Sequence, residues 1–260
     1  MRGRYKMEFK IAPEGKKLRD IDLWGDFYDS YETGKPMEAV VKHVKRLPGK
    51  DECWELAFDD KPGITGYCLF SESGLPEKTL IDDFVGQIIT CKVTGVEKRN
   101  SAVICSRKEV IEITFKKLLS QLVQGEVIGA IVRAATNWNV YVDIGGGVIA
   151  KIRREKAILS DGVPLYVQYK KGSKIGVTVT QLNKSEKLIE VEPLNPWEEQ
   201  RYNRGESVFG RVVTIRDNQA FIEVEPGMIG LAYYKSIDSY KEDEFVKFQV
   251  LSYDQENRRL

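Results

Sequence analysis

Residues 136–150, TNWNVYVDIGGGVIA, decide how the chain is read. Val140, Val142 and Ile144 recur with the period of two that marks one face of a β-strand, so they form the core stripe, and Tyr141 and Asp143 point outward. Trp138 stands three residues ahead of Tyr141, just before the regular part, where a local bend lets it reach the same outer face. Gly145, Gly146 and Gly147 do not open a helix carrying Lys-Ser or Lys-Thr, so they read as a tight turn into a third strand, not as a phosphate loop. Two aromatic rings on the outside of a small β domain have two readings. They stack unpaired bases, or they pack against a neighbouring domain or linker helix.

Charge favours the first reading. The whole chain of 260 residues carries a formal net charge of only +1. Residues 116–192, however, hold 12 basic and 7 acidic side chains, a local +5, and residues 205–260 hold 7 and 10, a local −3. Arg133, Lys151, Arg153, Arg154 and Lys156 lie close to the aromatic strand in sequence. A positive stretch beside exposed rings is the minimum footprint of a surface that meets phosphates.

The same pattern occurs three times. GKPMEAVVKHV from Gly34, QGEVIGAIVRA from Gln124 and RGESVFGRVVTI from Arg204 each lead into a second alternating strand, CWELAF, NVYVDI or QAFIEV. A glycine turn, an irregular stretch and a final strand pair follow each time. Five short strands per unit suit an OB-fold barrel better than a sandwich. The expected fold is therefore all-β: three tandem OB-fold five-stranded barrels joined by short helices. Ile111, Phe115, Leu118, Leu119 and Leu122 fall at helical spacing and predict one such helix. The expected boundaries are 1–35 for an N-terminal segment and linker helix, 36–110 for the first barrel, 111–123 for a linker helix, 124–193 for the second barrel, 194–204 for a linker around Pro196 and Trp197, and 205–260 for the third. The sequence stops at NRRL, leaving a very short last strand, so the third barrel is expected to be truncated or completed otherwise.

Catalytic and metal motifs do not stand out. Cys53, Cys68, Cys91 and Cys105 have long irregular gaps and read as small core residues, not zinc ligands. His43, the single histidine, has no Ser or Cys arrangement near it. No segment approaches the length of an apolar membrane span, and no secretory leader is seen, so the default expectation is a cytoplasmic binder without cofactor, metal or catalytic activity.

At this point the sequence resembles the S1 RNA-binding domain family, and within it the central repeats of bacterial ribosomal S1 proteins. GEVIGAIV, WNVYVDI, GGVIAKIRRE and NKSEK carry the likeness in the second unit; GESVFGRVV, NQAFIEV, GMIGLAYYKS and DQENRRL carry it in the third. The joints VEKRNSAVICSRKEVIE and NPWEEQRYNRGESVFGRV are also alike. The family's RNA face has two aromatics, a His, and then an Asp and a basic residue near the last turn. The resemblance implies Trp138 and Tyr141, Arg153 in the His place, and Asn183 and Lys187, with Lys151 and Arg154 adding charge. In the third unit it implies Phe221, Tyr233 in the His place, and Asp254 with Arg258 or Arg259, but Asn218 stands where the first aromatic belongs. The first unit departs furthest, with Trp54 its only counterpart beside acidic Asp59 and Asp60, which suits protein docking.

The reading that follows is a protein binding single-stranded RNA, with mRNA the foremost candidate, in translation or its regulation. The alternative is a docking adaptor built from such barrels, contacting a ribosome, RNA polymerase or nuclease with little RNA contact of its own. A third is the accessory part of an RNA-processing enzyme, although no nuclease-like carboxylate cluster is present.

Overall fold

The computed structural model describes residues 23–46, 51–158, 160, 162–183, 188–233 and 240–260. The chain divides into two compact units, Met1–Gly74 with Val85–Val110, and Leu75–Phe84 with Ile111–Leu260. The short segment Leu75–Phe84 thus belongs to the second unit although its sequence interrupts the first.

In the first unit, β1 (Met37–Lys45), β2 (Cys53–Ala57), β3 (Thr65–Leu69), β4 (Ile88–Glu97) and β5 (Ala102–Ser106) close a barrel in the order β1-β2-β3-β5-β4. β3 and β5 run parallel, and the other pairs are antiparallel. The alternating residues Val41, Trp54, Leu56, Cys68, Cys91, Val93, Val103 and Cys105 are all buried. Trp54 is therefore core. It shares the inner stripe with Leu56, and the corresponding outward place on β2 is taken by Glu55, so the expected aromatic counterpart is overturned by strand register. Glu55 is paired with Lys45 at 2.8 Å and with His43 at 3.0 Å.

The helix α1 (Gly25–Thr33) packs on β4: Phe27 meets Phe58 edge-on at 4.8 Å, and the Val93 amide donates to Ser30 Oγ at 3.0 Å. The short helix α2 (Phe70–Ser73) follows β3. Burial pushes the Cys68 thiol up to about 12, so it stays protonated and serves as packing.

The helix α3 (Lys108–Gln121) leads into the second unit. There β6 (Val127–Ala135), β7 (Asn139–Asp143), β8 (Ile149–Arg153), β9 (Lys174–Asn183) and β10 (Leu188–Pro193) form a five-stranded sheet in the order β10-β9-β6-β7-β8. Val132, Val140, Val142, Ile152, Val177 and Val179 fill its core, with Phe115, Leu118 and Leu119 of α3, and Leu122 just after it, packed on it. The short helices α4 (Arg154–Ala157) and α5 (Leu165–Gln168) lie between β8 and β9. After α6 (Pro196–Glu199), the strands β11 (Ser207–Arg216), β12 (Gln219–Glu225), β13 (Met228–Tyr233) and β14 (Phe245–Gln249) make a four-stranded sheet ordered β13-β12-β11-β14. Trp197 of α6 is buried and stacks on Tyr253 at 5.8 Å.

The expected fifth strand is not formed in this last sheet among the described residues. Residues 250–260 instead fold into a turn closed by an Asp254–Arg259 bridge, and the carbonyl of Leu260 accepts the Leu231 amide at 2.8 Å. The incomplete closure leaves a cavity of about 710 Å³ lined by Val208, Ile222, Val224, Ile229, Phe248 and Leu260. The three sheets share one irregularity: the first strand of each shifts register between Val41 and His43, Val132 and Ala134, or Val212 and Thr214. A bulge at that point bends the strand as a small barrel requires.

Candidate nucleic-acid interface

The outer face of the second sheet is built by register. Tyr141 on β7 lies between Ala134 on β6 and Lys151 on β8, and Asn139 lies opposite Arg153. Tyr141 faces away from the barrel core, as its alternation requires, yet it is only 1% exposed. Its cover is the segment Leu75–Phe84: fully buried Leu80 clusters with Ala134 and Tyr141, and Leu75 and Ile149 pack at the edge. The Tyr141 hydroxyl donates to Glu77 Oε2 at 2.7 Å, and the Lys151 ammonium donates to Glu77 Oε1 at 2.7 Å. The Lys151 and Tyr141 hydrogen bonds hold the Glu77 carboxyl below the usual carboxylate range. Burial first, and the Glu77 carboxylate second, push the Tyr141 phenol above its ordinary value. The expected open platform of two rings is thus corrected: Tyr141 is enclosed.

Trp138 is 72% exposed and sits on a turn, not on β7. Thr136 builds that turn. Its amide and its hydroxyl donate to the Asn139 carbonyl, at 2.8 and 3.1 Å, and its Oγ1 accepts the Trp138 and Asn139 amides at 3.2 and 3.0 Å. The Arg154 amide donates to the Trp138 carbonyl at 2.8 Å and its guanidinium to the Asn137 carbonyl at 2.8 Å. Arg153 stands beside them, exposed. Ring and cations therefore meet at one end of the sheet, a disposition that suits one stacked base and its phosphates.

Much of the local positive charge is already balanced. Arg133 is paired with Asp143 at 2.6 Å, Lys151 with Glu77 at 2.7 Å, Lys156 with Glu192 at 2.6 Å and Lys170 with Asp243 at 2.8 Å. Asp143 is also not an outward solvent group. It is buried, and besides Arg133 its Oδ1 accepts the Gly145 and Gly147 amides at 2.9 and 3.1 Å, so it organises the glycine turn. All three glycines there have positive φ, which only a residue without Cβ adopts freely.

The chain is similar to small ribosomal subunit protein bS1. The bS1 of Staphylococcus saprophyticus is 29% identical over 201 residues, covering 68% of this chain and 50% of the relative. The bS1 of Coxiella burnetii is 22% identical, covering 94% of this chain and 46% of the relative. This chain thus spans about half the length of these bS1 proteins. Among solved structures, a multidomain protein with nucleic acid binding domains from Streptococcus pneumoniae aligns with 86% of this chain and 71% of its own at 13% identity, with a TM-score of 0.25, too low to equate the two folds. No family model matches the chain.

The remaining bS1-like positions are scattered. Asn183 ends β9 half-buried, and Lys187 lies outside the described residues. Phe221 is half-buried against Val163, Val167 and Ile229, whereas Tyr233, at the end of β13, is 82% exposed. Asp254 accepts the side-chain amide and backbone amide of Asn257, at 2.7 and 3.0 Å, and these bonds hold its carboxyl low. Arg258 donates its guanidinium to the Ile158 carbonyl, and Arg259 closes the bridge to Asp254. Sequence reasoning missed Glu77 and Leu80 altogether, having read their stretch as irregular. The run LPEKTLIDDF did carry a signal, since apolar residues in an otherwise polar connection need a surface to cover.

Proposed function

We propose that this chain binds single-stranded RNA in the manner of S1-type proteins, as tandem OB-type barrels. Binding combines ring stacking and phosphate neutralisation without strong sequence preference. The observation that carries the reading is the Trp138 indole, 72% exposed, with Arg153 and Arg154 next to it. The similarity to bS1, a protein of the small ribosomal subunit, supports the same direction. In its finer form the proposal names mRNA as the ligand, translation or its regulation as the process, the cytoplasm as the place and no catalytic step. Among the described residues no helix is long and apolar enough to cross a membrane.

A second reading has its own support. The outer-face rings Tyr141 and Phe221 are occupied by protein, and residues 205–260 carry net negative charge, as a docking adaptor for the ribosome, RNA polymerase or a nuclease would. Fluorescence anisotropy of a labelled pyrimidine-rich RNA against the full chain, at two salt concentrations, separates the two. Salt-sensitive binding that weakens with Trp138→Ala supports RNA recognition. No binding by the folded chain moves the function to protein docking.

A further inference from the structure

The contact over Tyr141 differs in kind from the otherwise comparable contact over the third sheet. There, Val163 and Val167 pack on Ile229 and Phe221, and Ser160 donates to the Gly227 carbonyl at 3.2 Å and accepts the Ile229 amide at 2.9 Å. The groups that cover Phe221 there are apolar, and the charged contacts of that joint, Lys170 with Asp243 and Arg216 with Tyr166, lie beside them and not on the covered ring. Over Tyr141 the polar part of the contact is ionic and half open to solvent, with the Lys151 and Glu77 side chains 42% and 36% exposed. An ion pair so placed is screened by salt and exchanges readily for another anion.

The chemistry of the displaced ligand can be read from the groups that Glu77 holds. One carboxylate oxygen takes a phenol hydroxyl and the other an ammonium, the two donors that a nucleotide phosphate would take from the same strands. Leu80 lies against Tyr141 and Ala134, where a base would have to stack on that ring. Glu77 and the single turn Lys78–Leu80 carry both of these contacts, so they are the part that RNA would displace.

We infer that Leu75–Phe84 is an intramolecular competitor for RNA, its Glu77 carboxylate standing in for a phosphate and its Leu80 for a base on the outer face of β6, β7 and β8. With the segment seated, the sheet offers Trp138 and its neighbouring arginines. With Glu77 and Leu80 displaced, it adds a second ring and a second site of phosphate contact, so a longer RNA both opens the segment and binds more tightly. This inference rests on the RNA-binding reading above.

The test uses the full chain and a labelled oligouridylate in low salt. Glu77→Gln keeps the shape and removes the charge; Glu155→Gln, an exposed acid on α4, controls for the change in net charge. Glu77→Gln is expected to tighten binding by about threefold to tenfold, the scale of one phosphate contact regained, and Glu155→Gln by much less. Adding Tyr141→Ala to Glu77→Gln removes the gain. Hydrogen exchange in the unmutated chain is the second measurement: amides within Leu75–Phe84 should exchange faster when RNA is bound.

If Glu77→Gln and Glu155→Gln have equal effects, or exchange in Leu75–Phe84 slows or stays constant with RNA, the competitor inference fails while RNA binding lost with Trp138→Ala still stands. If neither the unmutated chain nor Glu77→Gln binds RNA, both readings fall.

Discussion

Replacing Trp138 with alanine separates affinity from stability unusually well. The indole is 72% exposed, and the turn beneath it is held through the Trp138 amide and carbonyl, which alanine keeps. The cost to folding should stay within about 0.5 kcal/mol, as for surface substitutions away from caps and buried networks. Losing one stacked base should cost about 1–3 kcal/mol in binding, or about fivefold to 140-fold in Kd. No charge is removed, so the salt dependence should not change. With Arg153 and Arg154 as the cations neutralising phosphate, the logarithm of the association constant should fall against the logarithm of salt with a slope of about −1.4. Anisotropy titrations at several salt concentrations should give two parallel lines, the variant displaced to weaker binding, with thermal melting unchanged. A folded variant that binds as tightly as the parent would refute the stacking argument. A parent whose affinity ignores salt would refute the electrostatic one.

Other outcomes follow from the same geometry. Asp143→Ala removes the carboxylate that accepts from the Arg133 guanidinium and from two turn amides, and should destabilise the second unit by about 3 kcal/mol, seen in denaturant unfolding. Gly146→Ala, at φ +55°, places a Cβ 2.5 Å from Thr114 Cγ2; it should cost more than the ~1–2 kcal/mol of a left-handed alanine, and Thr114→Ser should return only the excess. Burial raises the Tyr141, Tyr169, Tyr202 and Tyr253 phenols, so spectrophotometric titration should find these tyrosines ionising late, and Tyr141→Phe should remove one of the late steps. Because the folded phenols keep their protons longer than the unfolded ones, their share of stability is complete below about pH 10 and declines as pH rises further. The depressed Glu77 carboxyl acts at the other end: its contribution is complete above the ordinary carboxylate range and is lost as pH falls through its lowered value, which acid unfolding of Glu77→Gln would reveal as a reduced slope.

Sequence alone determined what depends on local periodicity. The inward stripes Val140 with Val142 and Trp54 with Leu56 follow from a two-residue repeat, as does the side of the strand on which Tyr141 lies. Trp54 shows that the rule was legible even where it was misapplied, because its neighbours at 56 and 58 are apolar too. The helical spacing of Phe115, Leu118, Leu119 and Leu122 likewise marked a face that packs on the second sheet. Tertiary structure alone decided whether an outward side chain meets solvent. Tyr141 is covered by Glu77, 64 residues away in the chain, and Phe221 by Val163 and Val167, while Trp138 stays open on its turn. Side-chain direction is set by the dihedral angles of the strand itself, but exposure is set by whichever distant segment finds its apolar residues a surface there. That long-range choice leaves no period in the strand it covers.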